Sequence, residues 1–170
     1  MDLAYCRIRL QQSAAAIVAL AEGAKPEQAR WKPTPEEWSL LEVICHLHDE
    51  EREDFRQRLD LTLHHPEADW PPIHPSRWVT ERAYNQRDLP GMVADFAQER
   101  DRSLAWLDSL SHPDWDAAHL HPLAGKMTAS NMLGAWVAHD HLHIRQLNQL
   151  HWQWLATQVD ALSLEYAGGW

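Results

Sequence analysis

The sequence predicts an all-α protein: a four-helix bundle with a long crossover between its second and third helices. Three observations support this fold class. Apolar residues recur at helical spacing through four long segments, no long segment alternates with period two, and four prolines crowd the stretch between the second and third segments. A length of 170 residues suits one domain, taken as residues 1–170, with room for a sizeable core.

The first helix is expected from about Asp2 to Glu22, with Leu3, Leu10, Ile17 and Leu20 on related faces and Gly23 and Pro26 stopping it. Lys32-Pro33-Thr34-Pro35 breaks the chain, so Thr34 or Pro35 is expected to start the second helix, where Glu36 and Glu37 suit the dipole. That helix carries Trp38, Leu41, Ile44 and Phe55 and is expected to end near Asp60 to His64. Pro66, Pro71, Pro72 and Pro75 then mark an irregular crossover, with a short helical piece over Ser76 to Gln86. Asp88 is the expected cap of the third helix, with Pro90 in its first turn and Val93, Phe96, Leu104, Leu107 and Leu110 facing inward. A loop through Pro113, Pro122 and Gly125 leads to Thr128, the expected cap of a fourth helix reaching Leu150 or beyond. The tail from Trp152 to Tyr166 reads ambiguously.

Composition narrows the function classes. Lys plus Arg number 15 against 25 Asp plus Glu, a formal charge of −10, with no basic cluster to offset it. Such a surface repels phosphate backbones and anionic lipid, so no nucleic-acid or membrane partner is expected. The apolar run Ala14 to Ala21 imitates a signal peptide, but Asp2, Arg7, Arg9, Gln11 and Gln12 give it the wrong flank. Nothing approaches the roughly 20 apolar residues of a membrane span. Cys6 and Cys45 make neither a disulfide framework nor a Cys-x-x-Cys pair, and a cytoplasmic protein is expected. Twelve His stand out, which raises the prior on a metal site without locating one.

Phase does more to locate it. The fourth helix holds His139-Asp140-His141-Leu142-His143, and histidines four apart share a face. His139 and His143 fall in the same arc as Met132, Trp136, Leu147 and Leu150, whereas His141 points away. Two imidazoles in an apolar stripe need partners, because burying them unpaired is costly. A shared metal satisfies both; the plain alternative is a pair of core histidines bonded to carboxylates or carbonyls. In the second helix, Trp38-Ser39-Leu40-Leu41-Glu42-Val43-Ile44-Cys45-His46-Leu47 offers a third imidazole.

Trp38, Ser39, Glu42, His46 and Leu47, followed far downstream by His139, His143 and Gln146, resemble the pattern of the DinB-like superfamily of metal-dependent enzymes. Arg100 in the third helix, and Gly125 before Thr128, extend the likeness over nearly the whole chain. The resemblance implies a four-helix bundle, a divalent metal on His46, His139 and His143, and a homodimer. Helical phase pulls the other way on one point: His46 shares its side with Glu42, Asp49, Glu50 and Glu53, while His48 lies with Leu41, Ile44 and Phe55. Phase alone prefers His48 as the inward residue.

Three neutral imidazoles leave a divalent ion open positions, and zinc or nickel suits them. Glu42, Asp49, Glu50 and Asp140 are candidates for orienting a ligand's second nitrogen or moving protons, against the plainer reading of a solvated face. Arg100, on the inward stripe of the third helix, is a candidate for a substrate carboxylate, against an internal ion pair or a snorkelling side chain. The resembled superfamily includes thiol-dependent S-transferases, so a small-molecule substrate and a low-molecular-weight thiol are the expected partners. Two other readings stand beside this one. His139-Asp140-His141-Leu142-His143 looks like the zinc-peptidase motif with Asp in place of Glu, which points to metal-assisted hydrolysis, with Glu165 the nearest downstream carboxylate. The third reading is a non-catalytic, metal-binding or stress-associated dimeric bundle.

Overall fold

The computed structural model describes residues 2–122 and 125–170. Helix α1 (Leu3–Ala21) starts at Asp2, whose carboxylate accepts from the Tyr5 backbone N–H. A single helical turn, α2 (Pro26–Arg30), follows. The second bundle helix is composite: α3 (Leu40–Glu50), a π-helical turn over Glu51–Phe55, and α4 (Arg56–His64). It starts later than Thr34 or Pro35, because Ser39 is the cap. The Ser39 hydroxyl accepts from the Glu42 N–H at 3.2 Å, and the Glu42 carboxylate accepts from the Ser39 N–H at 2.8 Å.

After the crossover come α5 (Pro75–Glu81) and a 3-10 turn over Tyr84–Gln86, where one helical piece was expected. Ala83 separates them at φ 50°, a left-handed conformation that no helix continues through. Helix α6 (Leu89–Ser109) begins at Asp88, which accepts from Gly91 N–H. The next connection holds a two-stranded antiparallel hairpin, β1 (Ala118–His121) with β2 (Gly125–Thr128), where the sequence predicts only a loop. Strands of four residues are too short for alternation to register. Leu123 and Ala124 of that predicted loop lie outside the described residues. Helix α7 (Ala129–Ala156) begins at a Thr128–Asn131 capping box, and α8 (Ala161–Ala167) occupies the ambiguous tail with none of its residues buried.

The architecture is thus a four-helix bundle of α1, the α3–α4 composite, α6 and α7, with one small hairpin. Among the described residues, no helix is long and apolar enough to cross a membrane. Two apolar clusters fill the bundle. One gathers Ile17, Leu41, Ile44, Leu47, Phe96 and Leu147; the other gathers Leu10, Phe55, Leu59, Leu107, Leu133 and Trp136. Polar side chains occupy the level between them on three helices. Glu51 falls between Leu47 and Phe55, Arg100 between Phe96 and Leu104, and Asp140 between Trp136 and Leu147, all fully buried. His139 and His143 lie at that same level of α7.

Candidate metal centre

The structure brings together His46, His139 and His143. Their Nε2 atoms form a triangle with sides of 3.3 Å (His46–His139), 3.1 Å (His46–His143) and 3.1 Å (His139–His143). Among the described residues, this is the one His/Cys/Asp/Glu group whose ligand atoms converge closely enough to hold an ion. A tetrahedral zinc with Zn–N bonds of about 2.0–2.1 Å would separate its ligand nitrogens by roughly 3.3–3.4 Å, so the spacing fits.

Hydrogen bonding among the three rings cannot account for that convergence. A neutral imidazole nitrogen either carries a proton or offers one lone pair. Of three mutually facing nitrogens, at least two must therefore be alike, and that pair meets lone pair to lone pair or proton to proton. A cation at the centre satisfies all three lone pairs at once. The rings are also in the right protonation state. Burial pushes His46 down to about 2, with the nearness of the His143 and His139 rings adding to it. Burial, then His143 and Arg100, bring His139 down to about 3, and burial lowers His143 as well. All three are neutral at physiological pH, as ligands must be.

Surrounding groups fix the rings. The Gln146 amide oxygen lies 2.8 Å from His143 Nδ1, which places the proton there and leaves Nε2 unprotonated. Trp38 packs on His46 with centroids 4.8 Å apart, and Phe55 packs on His139 at 4.8 Å. His46 is buried while His139 and His143 are partly exposed, so the triangle opens on the α7 side.

His48 lies outside the group. Its Nδ1 sits 3.1 Å from Asp49 Oδ1, and it is the one residue of α3 that is not buried. Helical phase fails here for a physical reason. Every other residue from Leu40 to Glu50 is buried, so α3 has no solvent face for a wheel to detect. The π turn then inserts an extra residue, which rotates Glu51, Asp54 and Phe55 inward.

The carboxylates named from sequence part company. Glu42 closes the capping box and pairs with Lys32 Nζ at 2.8 Å, so both oxygens are engaged at the start of α3. Asp49 accepts from the Tyr84 hydroxyl at 2.5 Å, from Arg82 at 2.5 Å and from Arg52 at 3.1 Å. Burial alone would raise its pKa, but the His48 contact and the bonds from Tyr84 and Arg82 hold it well below the usual range. Asp140 is bidentate to Arg100, at 2.7 and 2.9 Å. Glu50 alone faces a ring of the triangle, its Oε1 lying 3.9 Å from His46 Nδ1. Burial, followed by the adjacent Asp54, pushes Glu50 up to about 8.

Arg100 has no donor to spare for a substrate. Nε bonds Glu51, Nη1 bonds the Leu10 carbonyl and Asp140, and Nη2 bonds Glu51 and Asp140; these five contacts account for all five N–H groups. It is the internal ion pair, and Trp136 Nε1–H donates to the same Glu51 at 3.0 Å. No local pattern in the sequence marks Glu51; the signal for it is the inward Arg100 between two apolar residues, which needs a carboxylate to meet it. The aromatic walls Trp38 and Phe55 were legible only as apolar positions. Glu165 sits exposed on α8, away from the triangle's ligand set.

Comparison with known proteins agrees with this arrangement of helices. YfiT from Bacillus subtilis, described as a probable metal-dependent hydrolase with an unusual four-helix bundle topology, superposes with a TM-score of 0.77 at 22% identity, covering 88% of this chain and 85% of that one. No curated protein matches the sequence. The family model of the DinB superfamily matches residues 9–147, a span that runs from the first turns of α1 past His143 of α7 and takes in all three imidazoles. That match covers most of the chain: the chain belongs to the DinB superfamily.

Proposed function

We propose that this protein is a metal-dependent enzyme in which His46, His139 and His143 hold one divalent ion, zinc or nickel, and that it transfers a low-molecular-weight thiol onto a small electrophilic substrate. The observation that carries the reading is the triangle of facing Nε2 atoms, 3.1–3.3 Å on a side, which hydrogen bonding cannot satisfy. An ion on three imidazoles supplies Lewis acidity at its open positions, lowering the pKa of a thiol or water that reaches it. The chain's own residues do the rest. Gln146 holds the His143 tautomer, Trp38 and Phe55 wall His46 and His139 with aromatic surface, and the partly exposed α7 side admits the substrate. Arg100, Glu51 and Asp140 lock α6, the π turn and α7 together so that the imidazoles stay in register.

Hydrolysis, with water as the nucleophile at the same ion, is the second reading; the description of YfiT favours it. It would not follow the peptidase pattern. Asp140, which would serve as base in that motif, has both oxygens on Arg100. We further propose a cytoplasmic homodimer. Cys6 and Cys45 are buried and joined in no disulfide, which suits a reducing compartment, and Tyr5 and Ile8 on α1 and Leu142 on α7 leave apolar surface exposed. The test is turnover of a panel of thiol–electrophile pairs and of ester and amide substrates, by metal-loaded and chelated protein. Thiol consumption that stops on chelation and returns with zinc or nickel supports transfer, and metal-dependent cleavage without thiol supports hydrolysis. Turnover indifferent to chelation contradicts both.

A further inference from the structure

We infer that Glu50 is the positioning residue for His46, taking the Nδ1–H of that imidazole as the hydrogen-bond acceptor that sets its tautomer and aim. This rests on the metal reading above and deepens it. An imidazole that binds an ion through Nε2 must carry its remaining proton on Nδ1, and a buried N–H needs an acceptor. His46 is 5% exposed, and its Nδ1 has no hydrogen-bond partner. Glu50, one helical turn on and 4% exposed, has an oxygen in the same condition. The two atoms face each other at 3.9 Å, about 1 Å beyond a hydrogen bond and within reach of a small side-chain rotation.

The other nearby carboxylates are committed elsewhere. Glu42 serves Lys32 and the cap, Asp49 serves Tyr84, Arg82 and Arg52, and Asp140 serves Arg100. Glu50 is itself held from behind. It is in hydrogen-bonding contact with Asp54, whose Oδ1 lies 3.0 Å from Arg58 Nη1. Arg58 in turn donates to the Pro71 carbonyl at 3.1 Å and lies over the Trp70 ring, anchoring the row to the crossover. The row His46, Glu50, Asp54, Arg58 therefore runs from the histidine triangle to the proline-rich connection. His143 has an amide oxygen in the matching place, from Gln146, so two of the three rings are oriented by side chains three or four residues downstream.

The experiment is zinc affinity by competition with a chromophoric chelator, together with nitrogen-15 histidine NMR of the zinc-loaded protein, for wild type, Glu50→Ala and Glu50→Gln. Wild type should show a slowly exchanging His46 Nδ1 proton. Glu50→Ala should weaken zinc binding about 10- to 100-fold and lose that signal. Glu50→Gln, which keeps an acceptor oxygen without the charge, should retain the signal at a shifted position and recover most of the affinity. If Glu50→Ala does not fold, the Gln variant carries the test alone: absence of the His46 Nδ1 signal there overturns the inference. Wild-type affinity in Glu50→Ala with the His46 signal unchanged overturns it too, as does equal weakening in both variants. Failure of the metal reading itself would show earlier and separately, as wild type that takes up no zinc.

Discussion

At the residue scale, three imidazoles converge while their neighbouring histidines do not. His46 and His48 are two positions apart, yet one ring joins the triangle and the other reaches only Asp49. His46→Ala is predicted to abolish stoichiometric zinc binding, while His48→Ala leaves it within about twofold, since removing a ligand deletes a bond and removing a bystander does not. The reverse pattern, in the same calorimetric titration, would move the ligand to His48. The shifted protonation of the rings gives a second prediction. Unfolded, His46 and His139 titrate near 6.5; folded and metal-free they stay neutral down to about 2 and 3. Below pH 6.5 the unfolded chain therefore binds more protons, and stability falls as pH falls. Each ring contributes a slope of roughly 1.4 kcal/mol per pH unit. Glu50 works in the opposite sense. Raised to about 8, it stabilises fully below about 4.5 and loses that contribution as pH climbs toward 8. Urea unfolding in chelator between pH 5.5 and 4.5 should accordingly show a shallower pH slope for His139→Gln than for wild type. Identical slopes would mean the ring is protonated in the folded chain.

At the scale of elements, the second bundle helix carries the most information and was the hardest to read. Pro35, Glu36 and Glu37 look like a first turn in the sequence, but the Ser39–Glu42 capping box puts the actual boundary several residues later. Ser39→Ala should cost about 1 kcal/mol in chemical denaturation, the usual worth of such a cap. Wild-type stability would show that the box is idle. The faces of this helix were illegible for a different reason. Its carboxylates look solvated in the sequence because their partners, Lys32, Arg58, Arg82 and Arg100, come from other parts of the chain or sit beyond the π turn. No local pattern encodes an insertion such as Glu51–Phe55. Helix α7 was the opposite case: its cap at Thr128, its apolar arc and the inward pair His139 and His143 could all be read directly, because one of its sides does meet solvent. The β1–β2 hairpin leaves no pattern in the sequence, because its two strands are only four residues long.

At the scale of the whole molecule, a bundle with two apolar clusters is divided by a polar level that the core has to satisfy. Arg100 is the keystone of that level, 1% exposed and bonded on every N–H. Burial works against its charge, and the two carboxylates of Glu51 and Asp140 more than restore it. Arg100→Ala strands both acids in the interior and should destabilise the fold by about 3–5 kcal/mol, whereas Arg7→Ala, which breaks a surface pair with Asp108, should leave stability nearly unchanged. Comparable losses for the two in thermal unfolding would contradict the division of the core. That level of the bundle is also where the histidines sit, so the rigidity of the ion-pair network passes directly to the ligand set.

The most direct measurement is the metal content of protein purified without an affinity tag, by elemental analysis, for wild type and the three single variants His46→Ala, His139→Ala and His143→Ala. Wild type should carry close to one equivalent of zinc or nickel per chain and each variant far less, with all four proteins folded by circular dichroism. Folded wild type that carries no ion and takes none up, or variants that retain it through the other nine histidines, would contradict the three-histidine metal site.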